Sequence, residues 1–263
     1  MARTKIRHYP MGRLPSPFDV RDYNTANFIP VNAWHAPFGE KQEMVWDFPS
    51  TSLDQGLFQH CVGFSMAHFG INSPINTLYT KDDAHNFYYQ CKAVDGRPGL
   101  EEGTYIRSAA KVLKNEYIIS KYAFARNLQD IKWWLLNKGP IIVGTIWTVE
   151  MFTPDENHII RIGGEVVGGH AYLLNEWRSD DYIGFQNSWG EHWGDNGKAY
   201  ISSEHFDRLF SHQGEALSAV ELDPSQIEEI EETIHHIESD HWLCVQFKLL
   251  LDFLKDLVYN YKK

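Results

Sequence analysis

Four residues, in the chain order Gln55, Cys61, His170 and Asn187, form the set that thiol acyl-transfer chemistry requires. A thiol at a helix N-terminus has its anion favoured by the macrodipole and by unpaired first-turn N–H groups, and a facing imidazolium lowers its pKa further. Cys61 is therefore the expected nucleophile. His170 would take the thiol proton and return it to a leaving amine, while the side-chain carbonyl of Asn187 orients the ring through its other nitrogen. Gln55, six residues ahead of Cys61, would donate its side-chain amide, with the Cys61 backbone N–H, to the oxyanion; one such donor is worth ~10²–10³ in rate. Trp189, two residues after Asn187, would shield the Asn–His hydrogen bond from water. Taken singly, a cysteine is a small buried hydrophobe and an Asn-Ser pair a turn. The weight rests on three strings occurring together: Asp54 to Cys61 (DQGLFQHC), Gly168 to Tyr172 (GGHAY), and Gln186 to Gly190 (QNSWG) with Trp193-Gly194 behind.

The elements that must position these residues are legible from period and punctuation. Val62, Ser65, Met66 and Phe69 recur at helical spacing and Pro74 follows, which predicts a buried helix from Cys61 to about Asn72. Further helical patterns cover Ala84–Val94, Tyr105–Asn115 and Leu128–Asn137, the last ending at Lys138-Gly139-Pro140. After Pro140 the texture changes to short β-branched runs at Ile141–Ile146, Glu165–Val167, Ala171–Glu176, Tyr182–Gln186 and Lys198–Ser202. The expected class is α+β: a helix-rich first half followed by an antiparallel sheet or open barrel. Residues 1–43 carry prolines and scattered polar residues without period and read as an extended or loosely structured lead-in, an arm laid over the body. Residues 44–220 are the catalytic region. Residues 221–263 read as an acidic helical hairpin, roughly 224–237 and 240–260, with an apolar stripe suited to the body or to a second copy.

Composition narrows the classes. The chain has 263 residues, 43% hydrophobic, enough for a sizeable core and against disorder. A net charge of −11 disfavours a phosphate-tracking nucleic-acid binder. Eight acids and no Lys or Arg lie within residues 221–240, so the acidity marks the appended segment and says little about the cleft. Three cysteines, Cys61, Cys91 and Cys244, are too few for a disulfide framework. No apolar run has signal-peptide or membrane-span length. A reducing compartment, the cytoplasm, or a virion for a virus-encoded chain, is expected, with no cofactor and no membrane partner. His235, His236 and His241 with Glu238 fall on differing helix faces and make no metal site.

The strings also carry a resemblance. Gln55-Gly56, Cys61, His170-Ala171, Asn187-Ser188-Trp189-Gly190, Trp193-Gly194 and Asn196-Gly197 resemble the motifs of the papain-like cysteine peptidases, which include the cathepsins, over roughly residues 44–205. The resemblance implies a two-domain papain-like fold, a helical left domain and an antiparallel β-barrel right domain with the cleft between them, and hydrolysis of protein or peptide substrates through a thioester on Cys61. Residues 1–43 lack the family's long helical pro-domain and are expected instead to occupy or border the cleft and restrain activity, as an autoinhibitory or pro-segment. It places Gly103 and Thr104, in Glu102-Gly103-Thr104-Tyr105, where the family pairs backbone with an extended substrate. Gly169 leaves the cleft wall beside His170 with little side chain, and Trp189 completes the candidate substrate-binding set. Phe58 stands where the family has a half-cystine, and 109 positions separate Cys61 from His170, so connecting loops are trimmed and subsites rebuilt. His60, beside the thiol, either tunes it or is a surface residue at a helix start. Two other classes share the pattern: a papain-like binding or scaffold protein without turnover, and another thiol acyl-transfer such as amidase or transamidase chemistry.

Overall fold

The computed structural model describes residues 9–20, 22–29 and 42–220, and beyond these only Ile234, His235, Lys255 and Val258. The acidic hairpin expected at 224–260, and most of the histidines near 235–241, lie outside the described residues. In chain order the elements are β1 (Arg13–Leu14), β2 (Met44–Val45), α1 (Cys61–Ile71), α2 (Lys81–Val94), β3 (Thr104–Tyr105), α3 (Ile106–Asn115), β4 (Lys121–Phe124), α4 (Leu128–Asn137), β5 (Ile141–Thr148), β6 (Val166–Trp177), β7 (Tyr182–Gln186), β8 (Lys198–Ser202), α5 (Ser203–Phe210) and β9 (Glu215–Val220).

The sheet runs β4-β9-β5-β6-β7-β8 with antiparallel neighbours, and β2 pairs with the C-terminal end of β6. It is open among the described residues, not a closed barrel. Strand alternation splits its core side chains between two apolar layers. Ile141, Val143, Tyr172 and Leu174 join a tryptophan-rich cluster with Trp134, Trp147, Trp177 and Trp189. Ile142, Ala171 and Leu173 point the other way, into a cluster with Val62, Met66, Ala109 and Leu113 of α1 and α3. The middle strands are thus covered on both faces, which explains their near-continuous apolar runs.

Helix α1 is buried on every side, as expected of a helix apolar all round. Gly63 permits its close crossing with α2: a Cβ there would stand 2.3 Å from the Ala84 carbonyl oxygen. Helix α2 begins three residues before the expected Ala84, because Thr80 and Asp83 form a capping box. The two runs expected at 165–167 and 171–176 are one strand, β6, since Gly168-Gly169 continue the pairing with Trp147 and Ile146 instead of turning. Strands β4 and β9 complete the sheet and helix α5 follows β8; none of the three is among the elements expected from the sequence.

The N-terminal segment lies on this body in extended form. β1 pairs in parallel with β3, Arg13 opposite Thr104 and Leu14 opposite Tyr105. Downstream, Arg107 binds both carboxylate oxygens of Asp22, Phe124 N–H donates to Tyr23 O at 2.8 Å, and Thr25 Oγ1 bonds Ser218 Oγ at 3.0 Å.

Candidate active site

Cys61 is the first residue of α1 and His170 lies on β6, the strand against which α1 packs. The backbone amide of Ala171, next to His170, is directed at the Cys61 sulfur, so packing of one helix on one strand brings Cys61 to the chain neighbour of His170. Asn187 follows β7 directly, and its Oδ1 lies 2.8 Å from His170 Nε2. The same Oδ1 accepts the Ser188 N–H at 2.8 Å, which identifies it as the oxygen. His170 Nε2 is therefore the donor, and Nδ1 keeps its lone pair. That Nδ1 is buried and has no hydrogen-bond partner. The Trp189 ring lies over the imidazole, centroids 4.8 Å apart, and Trp147 meets it edge-on at 4.9 Å. The Asn–His bond is roofed by indole on two sides.

Gln55 is held by its neighbours. Its Oε1 accepts from Ser188 Oγ at 2.6 Å and its backbone N–H donates to Ser188 O at 2.9 Å. The loop before it is pinned by Leu53 N–H donating to His68 Nε2 at 3.1 Å; burial holds that imidazole neutral, with its pKa near 3. With its oxygen engaged, Gln55 presents its NH₂, which donates to Phe58 O at 2.7 Å and to Pro10 O at 3.1 Å. The amide expected to meet an oxyanion thus holds a carbonyl of the N-terminal segment.

Every candidate substrate-binding residue touches that segment. Thr104 N–H donates to Gly12 O at 2.9 Å. A Cβ on Gly103 would stand 2.3 Å from Gly12 O, and one on Gly169 2.3 Å from Arg13 O. Tyr9 stacks on Trp189 at 4.3 Å with planes 6° apart. Gly12 sends its amide toward the Cys61 sulfur, and a Cβ on Gly12 would collide with Gln59 O. Residues 9–14 run across the thiol from the indole side to the β3 side.

This cover changes the electrostatics expected of the thiol. Cys61 is fully buried, and desolvation pushes it up to about 11, outweighing the amides of Ala171, Gly12 and Val62 and the positive charge of Arg13. His170 is lowered to about 4 by the same burial, opposed by the Asn187 bond. Burial thus favours the uncharged form of both groups, because a dry site penalises both ions. The low-pKa thiolate expected from the helix terminus is not the state of this covered site.

His60 is not a surface residue. It is wholly buried, stacks on Tyr88 at 3.6 Å, has Nδ1 2.7 Å from His85 Nδ1, and is lowered to about 4 chiefly by burial. Tyr88 in turn donates to Glu102 O at 2.5 Å, Lys92 Nζ to Gly103 O at 3.2 Å, and Thr104 Oγ1 to Asp95 Oδ2 at 2.6 Å. Helix α2 therefore braces the 102–104 segment against the cleft. None of these braces was legible in sequence, nor were Pro10, Gly12 and Arg13. Each acts through partners remote in the chain. Cys61 and Cys91 are free and buried, and Cys244 lies outside the described residues. Among the described residues no cluster of His, Cys, Asp or Glu is arranged to hold a metal, and no helix is long and apolar enough to cross a membrane.

Comparison with solved structures decides what this architecture is. Xylellain, a cysteine protease from Xylella fastidiosa, superposes with a TM-score of 0.66 over 85% of this chain and 100% of its own, at 16% identity. The chain has the papain-like fold. Digestive procathepsin L 3 of Tenebrio molitor larval midgut matches at TM-score 0.53 and 16% identity, over 73% of each chain. Bromelain from Ananas comosus, in complex with the E64 inhibitor, matches at 0.53 and 15%, over 69% of this chain and 100% of its own. No family model matches the sequence, and no curated protein is significantly similar to it. The papain-like likeness is therefore one of architecture, and the chemistry has to be argued from the residues.

Proposed function

We propose that the protein is a cysteine endopeptidase whose resting form is covered by its own N-terminal segment. The observation that carries this reading is the His170–Asn187 bond at 2.8 Å, which leaves Nδ1 as the unpartnered base beside the strand amide that faces the Cys61 sulfur. When residues 9–14 leave, water and substrate reach the pair and the desolvation that keeps both neutral is relieved. His170 Nδ1 then takes the Cys61 proton, and the thiolate adds to a peptide carbonyl whose oxygen takes the place of Pro10 O on Gln55. Collapse expels the amine with the proton from His170 and leaves a thioester. Water, deprotonated by His170, hydrolyses the thioester and returns the thiol.

In a chain opened by Arg13→Ala, the further change Cys61→Ala lowers peptide hydrolysis at least ~10³-fold. Retained hydrolysis in that double variant would sink the reading. The buried neutral thiol favours one competitor, a papain-like binding protein without turnover. Treatment of the opened chain with a peptidyl epoxide separates the two, because only a working thiolate becomes labelled at Cys61. Transamidation is distinguished by incorporation of an added amine into the product.

A further inference from the structure

We infer that the pocket filled by Arg13 is the specificity pocket of the cleft and that it selects an arginine side chain in the substrate, with Glu215 as the selecting residue. The inference rests on the peptidase reading above and adds to it the class of substrate.

Arg13 is 4% exposed, an unusual state for an arginine on a terminal segment. Its main chain sits in the cleft itself: the preceding residue, Gly12, bonds Thr104 and faces Cys61. Its side chain leaves the cleft between two glycines. A Cβ on Gly144 would stand 2.7 Å from Arg13 Nε, and one on Gly169 3.2 Å from Arg13 Cδ. The width of the pocket is thus made by missing side chains on the paired strands β5 and β6. At its end, one terminal nitrogen of the guanidinium donates to Glu215 Oε2 at 2.5 Å and to Gln213 O at 2.5 Å. The pocket therefore has length, two glycine walls and an anionic end with a second acceptor.

An empty or aliphatic-filled pocket would leave the Glu215 carboxylate, 16% exposed, without its cation, which a site of this kind rejects strongly. Arg107 lies within electrostatic reach of Glu215, but its guanidinium is bound by Asp22 and by Pro17 O. One terminal nitrogen meets both acceptors while Nε is buried without a hydrogen-bond partner, so the pocket matches the reach and charge of the side chain, which leucine lacks. The N-terminal segment then covers the thiol partly by offering the side chain that the pocket is built to take.

The test uses the full chain carrying Arg13→Ala, with Arg13→Gln as a second opened form. Peptidyl chloromethyl ketones carrying a single arginine or a single leucine, scanned through the three positions ahead of the reactive carbon, are compared by the rate of Cys61 alkylation. At one position the arginine probe is expected to react at least ~30-fold faster than the leucine probe. Glu215→Leu in the same chain should reverse that order, and Glu215→Gln should cut the preference at least ~10-fold. Equal rates for the two probes at every position, or an arginine preference that survives Glu215→Leu, overturns the assignment. So does a Cys61 that iodoacetamide alkylates but that no peptide probe reaches faster. Failure of the peptidase reading looks different: Cys61 of the opened chain would then resist iodoacetamide as well at neutral pH.

Discussion

The N-terminal segment is held by different physics on the two sides of Cys61. On the indole side, Tyr9 lies flat on Trp189 at 4.3 Å and near Phe152 at 6.4 Å. On the β3 side, Gly12 bonds Thr104, Arg13 is sunk onto Glu215, and Asp22 is clasped by Arg107. Aromatic contact is short-ranged and indifferent to ionic strength, while the charged grip responds to salt in proportion to its exposure. The Arg13–Glu215 pair, with side chains 1% and 16% exposed, is nearly dry and so is the tighter of the two. A segment held this way is expected to open first at its aromatic end and to depend for its residence on the ionic one.

The comparison can be broken most sharply at Arg13. Arg13→Ala leaves the largely buried Glu215 carboxylate without its cation, with the Ser16 N–H still donating to it, a loss of about 3–5 kcal/mol for a buried pair. Hydrolysis of peptides by the full chain should rise ~10²-fold or more, read as initial rates against wild type. Tyr9→Ala removes a stacked ring worth about 1–2 kcal/mol, so its rise should be only ~10-fold. Raising salt should change the rate little in wild type, Tyr9→Ala and Arg13→Ala alike, since both ion pairs that hold the segment, Arg13–Glu215 and Arg107–Asp22, are largely buried.

A pH profile sharpens the same contrast. The covered state holds a thiol near 11 and an imidazole near 4, so it prefers both groups uncharged. By linkage, cover weakens as pH falls through the open-state imidazole pKa, because that group would rather gain a proton. It also weakens as pH rises through the open-state thiol pKa, because that group would rather lose one. Cys61 alkylation by iodoacetamide in wild type should keep climbing toward pH 11. In Arg13→Ala it should level off at lower pH, where the hydrated thiol has already ionised.

How much of this was legible in the sequence differs by residue. Cys61, His170, Asn187 and Gln55 could be singled out because each sits in a local string whose neighbours matter: the buried helix after Cys61, the apolar strand after His170, Trp189 over the Asn–His bond. Helix α1 and strands β7 and β8 could be read from period alone. The Gly168-Gly169 pair read as a break between strands, because a dipeptide that often turns a chain can equally thin a wall against which another segment lies. His60 left its burial undecided in sequence; its stacking on Tyr88 brings together two helices. Arg13 and Glu215 stand 202 positions apart, and no local pattern at either end announces the other.

The sequence by itself determined which groups are candidates for chemistry, since a thiol, an imidazole and two side-chain amides are properties of residue types set in short strings. Tertiary structure alone decided that these atoms are covered, that the thiol and imidazole are neutral under that cover, and that an arginine fills the pocket beside them. Burial is the physical reason. Desolvation and ion pairing depend on what stands within a few ångströms in space, and here the decisive neighbours come from opposite ends of the described chain.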